Sequence, residues 1–219
     1  LMHTNNETGV KTDIRKIAAF AREKSVLVFC DAVQPFGFEP LNVKDLGVDL
    51  LSLSAHKLYG SKGVGVLYIR EGLELPAFML GGEQERGFRA GTHNTPAIVG
   101  MGKAAELAVK RLGDVENLAQ LRDGFEKKLL LVEGVEVNGA APRGPKHCNV
   151  RVADVDGEAL LLSLDRLGVC ASAGSACAAG SLEPSHVLTA MGLTSEQAKA
   201  SIRFSIGHGV SKHMLDEAD

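Results

Sequence analysis

The 219 residues contain no apolar stretch approaching the ~18 that a membrane-crossing helix requires. Nor do they contain a run of lysine and arginine interleaved with aromatics. With a net charge of −3 and a pI near 6.2, no nucleic-acid partner is expected. Four cysteines are present, but none forms a CxxC pair, and none of the seven histidines falls in an HxxxH set. Structural zinc and metal catalysis are therefore not expected. Nothing resembles a disulfide framework, which fits a reducing, cytoplasmic compartment. No internal repeat, low-complexity tract or secretory signal is recognisable. The sequence opens at Leu1 within an expected strand and stops at Asp219 at an expected helix start, so the chain is expected to be a piece of a longer protein.

What remains is an ordinary globular composition, 45% hydrophobic and 23% charged. The length suffices for one large domain or two small ones. Ile14, Ile17, Ala18 and Ala21 form the stripe of a helix over 13–24, with Thr12 as its cap. Strands are expected at 26–30, 49–54 and 64–70. They are almost continuously apolar, the pattern of a sheet covered on both faces. Residues 71–95 read as a long Gly- and Arg-rich loop of the kind that carries function. Thr95-Pro96 then opens a helix whose inner face is Met101, Ala104, Ala105, Ala108 and Leu112. Asp114 caps a further helix carrying Leu118, Leu121, Phe125 and Leu129.

From about residue 135 the strands shorten and alternate, as in His147–Val152 and 201–206, which predicts a sheet with one face exposed or turned to a cleft. Helices are expected at 156–167, 183–191 and 194–200, the last with a Thr194/Gln197 capping box. The expected fold class is α/β. A mostly parallel-sheet region spans 1–110, and a smaller α+β domain spans 111–219.

Two side chains stand out against this scaffold. Strand 26–30 ends at Asp31, and strand 49–54 runs into Ser54-Ala55-His56-Lys57, 26 positions later. An acid and a lysine at the ends of neighbouring strands suit pyridoxal 5'-phosphate. The acid keeps the pyridine nitrogen protonated, and the lysine forms the Schiff base. A lysine amine attacks a carbonyl only when unprotonated, which desolvation favours. The alternatives are a solvated loop lysine and a turn aspartate.

Asn6, in Asn5-Asn6-Glu7-Thr8-Gly9, reads either as turn chemistry or as an amide donor to the cofactor's phenolic oxygen. Cys177 is the one cysteine in a small-residue segment (Gly174-Ser175-Ala176-Cys177-Ala178-Ala179-Gly180), whereas Cys30, Cys148 and Cys170 read as buried hydrophobes. It is either a loop residue or a thiol placed to accept an atom. Arg203 offers a planar fork to a substrate carboxylate, or makes a surface ion pair.

Taken in order, these motifs resemble the NifS-like cysteine desulfurases, which are fold-type I pyridoxal phosphate enzymes. The resemblance is carried by Met2-His3-Thr4-Asn5-Asn6-Glu7-Thr8-Gly9, Asp31-Ala32-Val33-Gln34, Ala55-His56-Lys57-Leu58-Tyr59-Gly60, Glu85–Thr92, Gly174–Cys177 and Ser181–Ser185. It implies that Lys57 is the Schiff-base lysine and Asp31 the partner of the pyridinium. It further implies that Asn6 and Gln34 address the phenolic oxygen, that Ser54 and His56 hold the phosphate, and that Thr92 reaches the phosphate of a neighbouring subunit. Arg203, with Asn6, would bind the substrate, and Cys177 would be the nucleophile.

The implied reaction converts L-cysteine to L-alanine in a homodimer. Sulfur passes through a Cys177 persulfide to an acceptor such as an iron–sulfur scaffold protein. Ala55, Ser61 and His208 depart from the common Gly, Pro and Arg of the family. Three other readings remain at this point: a selenocysteine lyase, an aminotransferase of the same fold, or an inactive truncated fragment serving only as a binding module. By the resemblance an upstream part of the phosphate site is missing, so the isolated 219 residues are expected to bind the cofactor poorly and to be inactive.

Overall fold

The computed structural model describes residues 1–174 and 183–218. The chain forms two compact units. The first comprises Leu1–His3 with Thr12–Leu112, and the second Thr4–Lys11 with Gly113–Asp219.

In the first unit, helix α1 (Ile14–Glu23) buries Ile14, Ala18 and Ala21, and its cap is Asp13. Thr12 was the expected cap. The Asp13 carboxylate instead accepts from Lys16 N–H at 3.1 Å, while the Thr12 carbonyl is already bonded to Ile14 N–H. Strand β1 (Phe29–Asp31) pairs in parallel with β2 (Leu50–Ser54), and β2 pairs antiparallel with β3 (Gly65–Ile69). Met2 forms a further parallel bridge to Asp31. The short helix α2 (Val43–Leu46) lies between β1 and β2 in sequence.

Strand β1 is shorter than the expected 26–30 because Val28 N–H donates to the Asp49 side chain at 2.8 Å rather than to a ladder partner. Burial alone would raise the Asp49 carboxyl, but the Val28 N–H and the Arg70 guanidinium outweigh it and hold the carboxyl below its usual range.

Among the described residues only one face of this sheet is packed. Val28, Cys30, Ala32, Val48 and Leu51 pack with the α1 stripe in one core. Leu27, Phe29, Val66 and Leu67 are 47–53% exposed. The period of two along a strand explains Leu27 and Phe29, which alternate with the core residues Val28 and Cys30; Val66 and Leu67 are neighbours on the edge strand β3 and are open on both of its faces.

Helix α3 (Thr95–Arg111) buries Ala97, Met101, Ala104 and Ala108, while Ala105 and Leu112 are half-buried. Its cap is Asn94, whose side chain accepts from Ala97 N–H at 3.3 Å. Thr95 and Pro96 fill the first two helical positions instead.

In the second unit, helix α4 (Val115–Leu129) buries Leu118, Arg122 and Phe125. A four-stranded antiparallel sheet has the order β4 (Val135–Val137), β5 (His147–Val152), β7 (Ser201–Ser205), β6 (Ser172–Ala173). Phe125 meets Phe204 edge-on, with ring centroids 5.1 Å apart. Helix α5 (Gly157–Arg166) starts at Asp156, and Gly157 is buried: a Cβ there would lie 2.0 Å from the Lys199 carbonyl oxygen. Short helices α6 (His186–Ala190), α7 (Ser195–Lys199) and α8 (Lys212–Asp216) follow, and α7 has the Thr194/Gln197 capping box.

The polar face of β5 is neither exposed nor a cleft wall. His147 is 3% exposed and Asn149 0%. The segment Thr4–Lys11 covers it. Asn149 Nδ2 donates to the Glu7 carbonyl at 3.2 Å, Val10 bridges Arg143, and Gly144 N–H donates to the Gly9 carbonyl at 2.7 Å. Asn138 Nδ2 donates to both Asn149 Oδ1 and Ser201 Oγ, so this buried polar stripe is hydrogen-bonded as burial demands.

Candidate active site

Parallel pairing sets the geometry in the first unit. Asp31 is opposite Ser52, so the end of β1 and the end of β2 lie at the same edge of the sheet. Ligands of α/β sheets collect at such carboxyl ends. After Ser54 the chain enters a 3-10 turn, Ala55–Leu58. Ala55 and Leu58 are buried at 0% and 3%, and Leu58 packs on Ala104, Ala108 and Phe36. Buried positions three apart leave the two between them outward: His56 is exposed and Lys57 half-buried.

The turn closes on Tyr59 at φ 64 and on Gly60, where a Cβ would approach the Ala104 Cβ and the Ala55 carbonyl to 3.1 Å. Ser54 Oγ and His56 Nδ1 are hydrogen-bonded at 2.7 Å. Asp31 Oδ1 accepts from Val33 N–H at 2.9 Å, and Gln34 is 7% exposed.

This donor and acceptor set fits pyridoxal phosphate. A hydroxyl and an imidazole suit the phosphate, a carboxylate suits a ring N–H, an amide suits the phenolic oxygen, and an amine suits the aldehyde. Thr92 is exposed, at the end of the Gly81–Thr92 loop. In that loop Glu85 and Arg86 adopt φ 50 and 58, a backbone region that costs non-glycine residues energy. Arg89 Nη1 donates to the Gly91 carbonyl at 2.8 Å, and His93 Nε2 lies 3.1 Å from Glu85 Oε1.

In the second unit the turn chemistry falls to Asn5 rather than Asn6. Asn5 Oδ1 accepts from Glu7 N–H and Thr8 N–H, both at 2.9 Å. The Asn6 side chain is not part of that turn. Its carbonyl accepts from Arg203 Nη1 at 2.8 Å, which brings these two sequence-predicted residues together. Arg203 stands opposite Asn149 in the β5–β7 ladder.

Cys177 lies outside the described residues. The other thiols divide clearly. Burial pushes Cys30 up to about 11 and Cys148 up to about 12, and both are 0% exposed. Cys170, expected to be buried, is exposed, because it lies between α5 and the edge strand β6 rather than in a central strand. At pH 8 iodoacetamide is expected to modify Cys170 in the folded protein and to leave Cys30 and Cys148 unmodified. Peptide mass mapping reads this directly; labelling of Cys148 at the rate of Cys170 would contradict it.

Among the described residues no group of histidine, cysteine and acidic side chains is arranged to hold a metal. Two residues that sequence reasoning gave no role take part in the second unit's site. Glu7 is 1% exposed, and Ser185 Oγ donates to its Oε2 at 2.5 Å. Both lie inside motifs visible in the text, but only their pairing across 178 positions gives them a role.

The chain is 46% identical over 218 residues to "Cysteine desulfurase 2" of Trichormus variabilis (strain ATCC 29413 / PCC 7937), covering 99% of this chain and 55% of that protein. The solved NifS-like protein from Rickettsia africae ESF-5 superimposes with a TM-score of 0.90 at 32% identity, over 99% of this chain and 58% of that one. A structure described as SspA in complex with cysteine matches at a TM-score of 0.75 and 36% identity, over 94% of this chain and 57% of its own. The chain thus spans about half the length of the curated relatives it matches. The profile of the class-V aminotransferases (Aminotransferase class-V) matches residues 1–217. With the strand-end lysine and its parallel-strand acid in place, that match over nearly the whole length establishes that this chain belongs to the class-V aminotransferase family.

Proposed function

We propose that the protein containing this chain is a pyridoxal phosphate-dependent cysteine desulfurase. The reading rests on the parallel β1–β2 pair, which puts Asp31 and the Ser54–Lys57 turn at one edge. It is supported by relatives named cysteine desulfurases and by the SspA structure that holds cysteine. On this reading the first unit is part of the cofactor-binding domain, and the second is the small domain that carries the sulfur-accepting thiol.

Bound pyridoxal phosphate supplies an electron-poor ring that takes up the charge left when Cα loses its proton. Asp31 would keep the ring nitrogen protonated, and Gln34 and Asn6 would donate to the phenolic oxygen. Ser54 and His56 would hold the phosphate, with Thr92 reaching that of a partner subunit in a homodimer. Lys57 would hold the aldehyde carbon and carry the Cα proton. Arg203 would fix the substrate carboxylate.

The Cys177 thiolate then bonds to the substrate sulfur. The Cβ–S bond breaks, its electron pair stays on Cβ, and Cβ takes up a proton to become the alanine methyl. L-cysteine and a protein thiol go in; L-alanine and a protein persulfide come out. A sulfur acceptor, such as an iron–sulfur scaffold protein, would regenerate the thiol.

The test is product analysis on the full-length protein with L-cysteine, pyridoxal phosphate and a thiol reductant. Equal amounts of alanine and sulfide are expected. Alanine formed only from selenocysteine would assign a selenocysteine lyase, and amino-group transfer without sulfide an aminotransferase. The isolated 219 residues are expected to give neither the cofactor's absorbance band nor alanine.

A further inference from the structure

Glu7 is a carboxylate buried to 1% exposure with a single hydroxyl on Oε2, and its Oε1 has no hydrogen-bond partner among the described residues. Burial of a polar group so sparsely bonded costs stability, and an apolar residue of similar shape would serve the fold as well or better. Its surroundings give it another use.

Ser185 follows the segment that contains Cys177, and Ser185 Oγ both donates to Glu7 Oε2 at 2.5 Å and caps helix α6 at Leu188 N–H. Gly174 precedes that segment. A Cβ placed there would lie 3.1 Å from the same Glu7 Oε2 and 3.0 Å from the Ser185 Cβ. The two described flanks of the Cys177 segment therefore converge on one carboxylate oxygen. On the other side of Glu7 in sequence, Asn6 holds Arg203 through its carbonyl, and the Glu7 carbonyl holds Asn149.

The geometry points to Glu7 as a positioning residue: it bonds the Ser185 flank of the Cys177 segment and packs against the Gly174 flank, in the turn that also carries Asn6. The inference rests on Cys177 being the sulfur acceptor. One carboxylate thus touches the described chain on both sides of the thiol-bearing segment, by a hydrogen bond at Ser185 and by packing at Gly174. Gln at this position keeps the acceptor for Ser185; Ala removes it.

The experiment uses the full-length holoenzyme and reads two quantities: the rate of Cys177 alkylation by iodoacetamide, by peptide mass mapping, and kcat and KM for L-cysteine. Glu7→Ala is expected to change the Cys177 alkylation rate about fivefold or more and to lower kcat about tenfold with KM within about twofold. Glu7→Gln should restore both to within about twofold of the parent. Ser185→Ala should have less effect in the Glu7→Ala background than in the parent, since the shared contact is already gone.

Buried Cys30 and Cys148 report the fold and should stay unmodified throughout. Unchanged Cys177 alkylation and kcat in Glu7→Ala, or equal acceleration at Cys30 and Cys148, would overturn the inference. Absence of desulfuration in the parent would instead overturn the functional reading beneath it.

Discussion

Replacement of Lys57 by alanine is expected to lower kcat/KM for L-cysteine about 10⁴-fold in the full-length protein. Two functions disappear together, since the same amine would hold the cofactor and move the Cα proton. The fold should survive the change. Lys57 is half-buried, and the turn around it is anchored by Ala55 and Leu58 rather than by the lysine, so thermal denaturation should stay within a few degrees of the parent. Lys57→Arg should be no rescue, because a guanidinium stays protonated and cannot serve as nucleophile or base. Steady-state alanine production checks the activity arm. A Lys57→Ala protein within about tenfold of the parent would remove Lys57 from the chemistry.

The second large effect is expected at Cys177. Serine is nearly isosteric with cysteine, but its hydroxyl is a poor nucleophile toward sulfur and stays protonated near neutral pH. Cys177→Ser should cut sulfide release about 10³-fold or more. Exchange of the substrate Cα proton with solvent should continue, because on the proposed reading Lys57 and not the thiol would carry that step. This split separates a desulfurase from an aminotransferase, in which the same substitution would leave amino-group transfer untouched. Retention of sulfide release by Cys177→Ser would transfer the acceptor role elsewhere. Cys170 is the exposed alternative, because Cys30 and Cys148 are buried and their thiols pushed up to about 11 and about 12.

Those two buried thiols also set an alkaline limit. Their folded values lie above the ordinary 9.0, so the folded chain keeps protons that the unfolded chain gives up. Stability is therefore lost as pH rises from about 9 towards 12. A Cys148→Ala variant should show a shallower fall in melting temperature over that window than the parent.

Much of the first unit was legible in the text because its signals are local. Runs of apolar residues ending at Asp31 and at Ser54 located the two strand ends, and the parallel register Cys30↔Leu51 brings both ends to the same edge. Helix caps were misplaced by one residue at Asp13 and Asn94, since Thr12 and Thr95 are equally good cap types and only backbone bonding chooses between them. The coverage of the sheet was not legible, because an apolar strand reads the same whether one face or both are packed. The seating of Thr4–Lys11 in the second unit was hidden as well. Its partners Asn149 and Ser185 lie 142 and 178 positions from Glu7, and no periodicity encodes such a pairing. The polar residues of β5 likewise read as a solvent or cleft face, although they are the buried partners of that turn.

The central claim is that Lys57 and Cys177 act in turn on one molecule of L-cysteine. A single-turnover reaction of the full-length protein with sulfur-labelled L-cysteine, quenched by alkylation and mapped by peptide mass, tests it most directly. The account predicts one labelled sulfur on the Cys177 peptide in the parent protein, and none in Lys57→Ala. Alanine formed with no label at Cys177, or label on Cys177 that persists without Lys57, would contradict it.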